Sequence, residues 1–258
     1  MPVIASRGFA NAPERTISTI AQEQDWNQAR MREPLTQPAW RVWTYDAPSV
    51  VLGCSQRRFE EGARARLAPG HALLLRSSGG GAVLTGPWMV SCSVALPSAH
   101  PWVQGRLPDS YRGLGELHVD LLARLGVPAR ALAPAEVDAA DARAGATVPW
   151  ACYGSLAPWE VVDAGGRKLV GLAQRRQRTG VLLVAGTLVT EPDWALLCAA
   201  LGQPQDEALM RRRTVSCAQL AAGAPPDARR LAHALERALR EALGESQEEA
   251  RSQAPNTL

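Results

Sequence analysis

The chain has 258 residues, of which 46% are hydrophobic, and a formal net charge of +3. This length and apolar content allow one sizeable core and exclude fibrous and wholly disordered classes. No apolar run reaches the roughly 18 to 20 residues that a membrane helix needs, and the N-terminus has no basic segment followed by an apolar one, so we expect a cytoplasmic protein with no membrane partner. The positive charge is small and not concentrated in one block, which gives no support for nucleic-acid binding.

Cysteine and lysine usage narrow the chemistry further. The five cysteines contain no C-x-x-C pair, which favours reduced thiols and argues against zinc, and we predict no metal site. Of the 28 basic residues, Lys168 is the only lysine. An arginine would serve solubility equally well, whereas an amine is smaller and can lose its proton when desolvated. On composition alone, chance and function explain this lysine equally well.

The N-terminal half is predicted to form one helix followed by short strands. Residues 1–13 and 245–258 are polar and lack hydrophobic periodicity, which predicts flexible tails. A helix is expected from Glu14 to about Arg32, closed by Pro34. Alternating or apolar runs predict four strands, the first two joined by a tight turn: Trp40 to Tyr45, Ser49 to Leu52, His71 to Leu75 and Met89 to Leu96.

The C-terminal half mixes strands and helices. A helix is expected from Asp109 to Leu125, with Asp109 as its N-cap and Gly126 as its stop. The stretch from Pro134 to Pro149 is predicted to be a surface excursion, and Trp159 to Val162 should form a hairpin with Lys168 to Leu172. One strand and three helices complete the chain: Val181 to Val189, Pro192 to Leu201, Ser216 to Ala221 and Pro226 to Leu243. No repeat or linker divides it.

A glycine-rich segment, Arg76 to Val83, lies between two predicted strands. Its three consecutive glycines, Gly79, Gly80 and Gly81, can present backbone N–H groups to a phosphate or carboxylate. No Gly-Lys-Ser/Thr follows, so this is not a Walker loop, and the spacing does not fit a dinucleotide fingerprint. A flexible hairpin turn is the alternative.

Two later segments, Cys152 to Glu160 and Arg167 to Arg176, change the interpretation. Together with the glycine-rich segment, they resemble the family of lipoate-protein ligases, biotin-protein ligases and octanoyltransferases of lipoic acid synthesis. The matching patterns are Arg-x-x-Gly-Gly-Gly-Ala-Val and Gly-Arg-Lys-x-x-Gly-x-Ala-Gln-x-Arg, in that order. Weaker likeness covers Trp43 to Gln56, Ser110 to Arg112 and Thr214 to Ser216, so the resemblance spans about residues 14–244.

The resemblance implies one catalytic domain at residues 14–244 with an α+β fold. A mixed or antiparallel β-sheet core flanked by helices is expected, as in the class II synthetase-like biotin and lipoate ligases. It also implies a tunnel for a medium-length acyl chain and transfer of that group to a lysine of a lipoyl-carrier domain. Such carriers are the glycine cleavage H protein and the E2 subunit of 2-oxoacid dehydrogenases.

Family members activate the acyl group in two ways. Octanoyltransferases need no cofactor, because a cysteine takes the acyl group from acyl-carrier protein as a thioester. Cys152, eight positions before Glu160, stands where they place this nucleophile, and Lys168 is the expected ammonium beside it. The ligases instead use ATP and Mg to activate free lipoate. The resemblance implies the substrate-binding residues Arg76, Ser78, Gly79, Gly80, Gly81, Ala82, Val83, Gly171, Ala173 and Gly186.

The sequence also departs from the family pattern. Leu84 to Pro87 replaces a stretch that contains a histidine in many relatives, and no histidine precedes Gly186 either. The four histidines, His71, His100, His118 and His233, are interpreted as structural. A Cys152 thioester transferase is therefore the leading hypothesis, an ATP-dependent ligase is the alternative because the triple glycine resembles the ligase form, and a non-catalytic acyl-binding homologue is the third.

Overall fold

The larger of two sheets forms the centre of the molecule. The computed structural model describes residues 18–244. Six strands, all antiparallel to their neighbours, lie in the order β1-β5-β9-β8-β7-β6. Their bounds are Ala39–Thr44 (β1), Met89–Leu96 (β5), Arg130–Ala131 (β6), Val161–Val162 (β7), Lys168–Gln177 (β8) and Gly180–Leu188 (β9).

A smaller sheet of three strands, in the order β3-β2-β4, covers part of the first. Its strands are Ser49–Leu52 (β2), Ala72–Leu75 (β3) and Val83–Thr85 (β4). Strand β2 pairs parallel with β3 and antiparallel with β4. The chain therefore leaves β1 for the other sheet at the turn before Ser49. The predicted tight turn links two sheets, not two paired strands.

Eight helices are described between residues 18 and 244. They are Ile20–Arg30 (α1), Glu60–Arg66 (α2), Arg112–Arg124 (α3), Val137–Arg143 (α4), Trp194–Ala200 (α5), Glu207–Arg213 (α6), Cys217–Leu220 (α7) and Ala228–Leu243 (α8). None of these helices is long and apolar enough to cross a lipid bilayer.

The sequence explains where the core lies. All eight residues of β5 are buried, which fits a central strand covered on both faces. Helix α8 is strongly amphipathic, with an N-cap at Asp227, and its apolar side packs on β1 and β5. A second, smaller core forms where α1 packs against β1, around Trp26 and Trp43. The site described below lies between this smaller core and the larger one.

The α+β architecture is confirmed, and several element boundaries differ from the prediction. Helix α1 begins at Ile20 behind a Thr19 cap, later than expected, and residues 14–17 lie outside the described residues, as do both predicted tails. Asp109 is not the N-cap of α3. It lies in a 3-10 helix, Leu107–Tyr111, and pairs with Arg106 at 3.1 Å.

Other elements were missed by sequence reasoning. The predicted excursion before Pro149 contains α4, whose buried Ala140 attaches it to the core. Helices α2 and α6 and the short strands β4 and β6 were also unexpected. Each is only two to seven residues long, so apolar periodicity has too few turns or alternations to identify it.

Candidate active site

The glycine-rich segment and the Cys152 segment are joined by backbone hydrogen bonds. Ala82 N–H donates to the Trp150 carbonyl at 2.7 Å, and Cys152 N–H donates to the Ala82 carbonyl at 2.9 Å. A Cβ built on Gly81 would lie 2.6 Å from the Ala151 carbonyl carbon and 2.7 Å from Cys152 N. Glycine is therefore required at 81 so that the two segments can approach this closely.

A second connection runs from the loop after β2. Gln56 accepts a hydrogen bond from Gly53 N–H at 3.1 Å and donates to the Trp150 carbonyl at 2.8 Å. A Cβ on Gly53 would lie 1.9 Å from the Gly80 carbonyl oxygen. The Val-Leu-Gly-x-x-Gln pattern thus builds one wall of the site, a role that sequence reasoning did not assign to Gln56.

Lys168 lies at the first position of β8 with only 1% of its surface exposed. Its Nζ donates to the backbone carbonyl of Cys152 at 2.7 Å and lies 2.6 Å from Glu160 Oε2. It also lies 5.6 Å from the centre of the Tyr153 ring. The only lysine of the chain is therefore inside the molecule and next to the predicted nucleophile, with its hydrogen bond directed to the Cys152 backbone.

Glu160 is the counter-ion of Lys168. It belongs to the Cys152 segment, but sequence reasoning assigned it no role. Its side chain is 2% exposed, and its oxygens also accept hydrogen bonds from Ala157 N–H at 2.8 Å and Leu172 N–H at 3.2 Å. Burial raises the pKa of the Glu160 carboxyl, while the Lys168 ammonium and the two amides lower it. The carboxyl is thus buried with a complete set of partners.

The backbone just before Glu160 has an unusual conformation. Trp159 has φ 65°, the only non-glycine residue in the left-handed region among residues 18–244. Such a conformation is unfavourable for a bulky side chain and persists only where neighbours hold it. Here Trp159 N–H donates to the Leu132 carbonyl at 2.7 Å. This turn directs the Glu160 side chain towards Lys168.

Cys152 stands where two cavities meet. It is a free thiol, partly buried, in a short 3-10 helix, Cys152–Gly154. Cys152 and Leu172 are the two residues that line both an inner pocket between the sheets and an outer, more open cleft. A thiol in this position can be reached from solvent while the group it carries extends into the interior.

The inner pocket contains most of the predicted substrate-binding residues. Strands β5, β8 and β9 form one side, and β2, β4 and the N-terminal helix α1 form the other. The predicted residues that line it are Arg76, Ser78, Val83, Gly171, Ala173 and Gly186. Further lining residues that the sequence did not indicate include Ile20, Glu23, Asn27, Met89, Ser91 and Leu182.

The outer cleft is more polar. Lys168, Glu160 and Cys152 lie on its floor, and Gly80 and Gly81 lie on its rim. No N–H group of Gly79, Gly80 or Gly81 has a hydrogen-bond partner in residues 18–244. The amides of Gly80 and Gly81, which line the cleft, can therefore serve as donors to an anionic or carbonyl oxygen there.

Ala82 and Gly79 line neither cavity, and of the two only Ala82 is buried. Ala82 is 1% exposed and makes the backbone bonds to the Cys152 segment, and the Gly79 carbonyl accepts a hydrogen bond from Arg76 at 2.8 Å. Arg76 donates equally to the Gly81 carbonyl at 2.8 Å. Its guanidinium thus shapes the glycine-rich loop from inside and does not present its charge to the cleft.

The remaining cysteines and histidines lie elsewhere. Cys92, Cys198 and Cys217 are buried, and burial raises the pKa of each thiol to about 12, while Cys54 is exposed and lines neither cavity.

None of the four histidines lines either cavity. Burial lowers the pKa of His118 to about 4, and its Nδ1 lies 2.8 Å from the Leu114 carbonyl. Among residues 18–244, no group of acidic, histidine or cysteine side chains is arranged to hold a metal ion.

Sequence comparisons match these features to known proteins. The sequence profile of the lipoyl protein ligase A/B catalytic domain matches residues 20–223. An octanoyltransferase LipM from Kyrpidia tusciae is 37% identical over 214 residues, 80% of this chain and 76% of the relative. Another octanoyltransferase LipM, from Moorella thermoacetica, is 32% identical over 184 residues, 70% of this chain and 63% of the relative.

Solved structures show a similar fold. Lipoate-protein ligase A bound with ATP matches with a TM-score of 0.63 at 22% identity, covering 90% of this chain and 83% of the other. A bi-partite lipoate protein ligase, solved in work on an archaeal lipoylation system with its E2 lipoyl domain from Thermoplasma acidophilum, gives a TM-score of 0.61 at 20% identity. That match covers 86% of this chain and 78% of the other. At this identity the likeness concerns the fold.

Proposed function

Since the chain belongs to the lipoyl protein ligase A/B catalytic domain family and is an enzyme, we propose that it transfers an octanoyl group through a thioester on Cys152. The donor is octanoyl acyl-carrier protein, and the acceptor is a lysine of a lipoyl-carrier domain. No cofactor takes part. We place this activity in a single domain at residues 14–244.

The position of Cys152 between the inner pocket and the outer cleft carries the proposal. In the first step the Cys152 thiol loses its proton and the thiolate attacks the carbonyl carbon of the donor thioester. The carrier's carbon–sulfur bond breaks, and the departing thiolate takes up a proton in place of the one that Cys152 lost. In the second step the acceptor amine attacks the new thioester. The carbon–sulfur bond breaks, an amide forms, and Cys152 recovers its thiol by taking up the proton that the amine releases.

Lys168 is proposed to stabilise both tetrahedral intermediates. An ammonium has three N–H donors, and the Cys152 carbonyl and Glu160 occupy two of them. The third is available to the oxyanion that forms beside Cys152, together with the amides of Gly80 and Gly81. The acyl chain extends into the inner pocket, where Val83, Gly171, Ala173 and Gly186 line its path.

Intact-mass measurement tests this proposal. After incubation with octanoyl acyl-carrier protein, the protein should gain one octanoyl group that hydroxylamine removes. Cys152→Ala should gain nothing, and Cys54→Ala is the matched control because its thiol is exposed but lines neither cavity. A stable mass gain in Cys152→Ala, or full transfer activity of that variant, would rule out the thioester.

The second candidate is an ATP-dependent lipoate-protein ligase. It is favoured by the amides of Gly79, Gly80 and Gly81, which have no partner in residues 18–244, and by the presence of Arg58 on the same cleft. Those amides and that guanidinium would hold phosphate oxygens, and ATP with Mg would supply an activated acyl group. AMP formation that depends on free lipoate, with no covalent gain on Cys152, would identify this activity.

A further inference from the structure

The inner pocket has two chemically different ends. One row of register partners crosses four strands, from Gly171 on β8 through Gly186 on β9 and Ser91 on β5 to Trp43 on β1. Adjacent strands lie about 4.8 Å apart, so this row spans about 14 Å. Tyr153, the neighbour of Cys152, donates to the Gly186 carbonyl at 2.6 Å and so lies at the β8–β9 end of the row.

The opposite end, towards β5, β1 and α1, is polar. We call Glu23, Asn27 and Tyr45 the distal triad. Tyr45, which follows β1, donates a hydrogen bond to Glu23, and Asn27 Nδ2 lies 3.5 Å from Glu23 Oε1. Their exposed fractions are 3%, 4% and 6% in chain order. Glu23 and Asn27 line the pocket. A methyl-terminated acyl chain reaching this end would contact a carboxyl and an amide.

One atom of the distal triad lacks a partner. Asn27 Oδ1 is buried and accepts no hydrogen bond from residues 18–244. Buried acceptors are almost always satisfied, and each exception needs an explanation such as a bound group. Because Asn27 lines the pocket, a donor on the far end of a bound acyl chain can supply the missing hydrogen bond.

We propose that the distal triad is a recognition site for the far end of the acyl group, and that besides the octanoyl group it admits medium-length chains carrying a hydroxyl or thiol donor there. This inference rests on the proposed function. Asn27 Oδ1 accepts the hydrogen bond, and Glu23, held by Tyr45, fixes the position of the amide through Asn27 Nδ2. Chains that extend further must bury methylene groups against these polar atoms, which disfavours them.

The test compares loading of Cys152 from octanoyl and ω-hydroxyoctanoyl acyl-carrier protein, supplied together and quantified by intact mass. In Asn27→Leu, the ratio of hydroxyoctanoyl to octanoyl loading should fall about tenfold relative to the natural chain, because one hydrogen bond is lost and an apolar surface is gained. Comparing ratios cancels the cost of desolvating the hydroxyl, which is the same in both proteins.

Gln28→Leu is the matched control, since it makes the same kind of change on the exposed side of the same helix and should leave the ratio unchanged. Asn27→Ala removes the same acceptor with a smaller side chain and serves if the leucine variant does not fold. An unchanged ratio in a folded Asn27 variant overturns the distal triad as a recognition site. If neither acyl group is loaded onto the natural chain, the proposed function itself fails.

Discussion

Two carboxyl groups, Glu160 and Glu23, are buried to a similar degree at opposite ends of the site, at 1% and 3% exposure. Glu160 has a cation at 2.6 Å and two backbone amides. Glu23 has a tyrosine hydroxyl and a distant amide, with no ion pair in residues 18–244. Burial raises the pKa of both carboxyls, and they differ in what opposes that rise, which is first the Lys168 ammonium at Glu160 and first the Tyr45 hydroxyl at Glu23.

The difference fits two different tasks. A buried ion pair with complete hydrogen bonding fixes geometry, which suits a group that must hold Lys168 beside Cys152. The Glu23 carboxyl has a pKa raised to about 7 by burial, with Tyr45, Asn27 and Arg76 lowering it in part. It can be neutral at physiological pH, which suits a group that faces an acyl chain.

The largest expected effect comes from removing the cation beside Glu160. Lys168→Met leaves the Glu160 carboxylate buried without its partner, which should lower the free energy of unfolding by about 3 to 5 kcal/mol and abolish acyl transfer. Urea unfolding measures the first effect, and intact mass measures the second.

The double variant Lys168→Met with Glu160→Gln is the control, because it removes the uncompensated charge and retains an amide oxygen for the backbone N–H donors. It should recover much of the lost stability without recovering activity. Equal stability of the single and double variants would contradict the view that an uncompensated charge causes the loss.

The pH dependence of stability should report Glu23 specifically. Its folded-state pKa of about 7 lies above the ordinary value of 4.5, so between these pH values the folded protein retains a proton that the unfolded chain releases. The contribution of Glu23 to stability is fully present below pH 4.5 and lost as pH rises through 7. The loss is of the order of 3 kcal/mol.

In the Glu23→Gln variant the side chain cannot ionise, so the part of the stability loss that Glu23 causes should be absent. The difference in unfolding free energy between the natural chain and Glu23→Gln, measured by urea unfolding from pH 4.5 to 8, should change by that amount. Two parallel pH curves would show that Glu23 ionises in the folded protein as it does in the unfolded one.

The Cys152 end depends on close backbone packing, which Gly81→Ala should disturb. The new Cβ would overlap the Cys152 segment. We expect a loss of about 1 to 3 kcal/mol in stability and a loss of acyl loading on Cys152. Gly79→Ala is the matched control, because a Cβ there meets no atom within 4 Å. Equal loading by the two variants would show that this contact does not position Cys152.

The smallest expected effect distinguishes the Glu23 end of the site from the Cys152 end, and it is measured with one tyrosine variant at each end. Tyr45→Phe and Tyr153→Phe each remove one hydroxyl hydrogen bond, worth about 1 kcal/mol. The Tyr45 hydrogen bond lowers the pKa of Glu23, so its removal should move the loss of stability to higher pH. Tyr153→Phe should leave the pH profile unchanged. A shift in both variants, or in neither, would remove this distinction between the ends.

The Cys152 end could largely be predicted from the sequence. Its parts lie in short continuous motifs, and their spacing follows from the backbone contacts that Gly81 and Gly53 permit. The β7–β8 hairpin, which places Lys168 near Glu160, was predicted from its Gly-Gly turn. That Glu160 is the counter-ion of Lys168 was not predicted. Its side chain is directed by the left-handed turn at Trp159, and a tryptophan gives no indication of such a turn.

The distal triad could not be predicted at all. Its members come from α1 and the end of β1, and nothing in their spacing indicates that a helix will lie over the edge of the sheet. In a sequence, Glu23 and Asn27 look like ordinary polar positions of an amphipathic helix. Only the tertiary fold buries them, since propensity and periodicity carry no information about which distant strand a helix will cover.

The burial of the only lysine limits acylation of the protein by itself. A thioester on Cys152 is a reactive acyl donor, and any exposed lysine of the same chain would compete with the acceptor. The chain has no other lysine, its 27 arginines stay protonated, and Lys168 itself is 1% exposed. Its nitrogen donates to Glu160 and to the Cys152 carbonyl, and an ammonium so engaged has no lone pair to offer. The proposed Cys152 thioester would therefore find no exposed lysine side chain of its own protein to acylate.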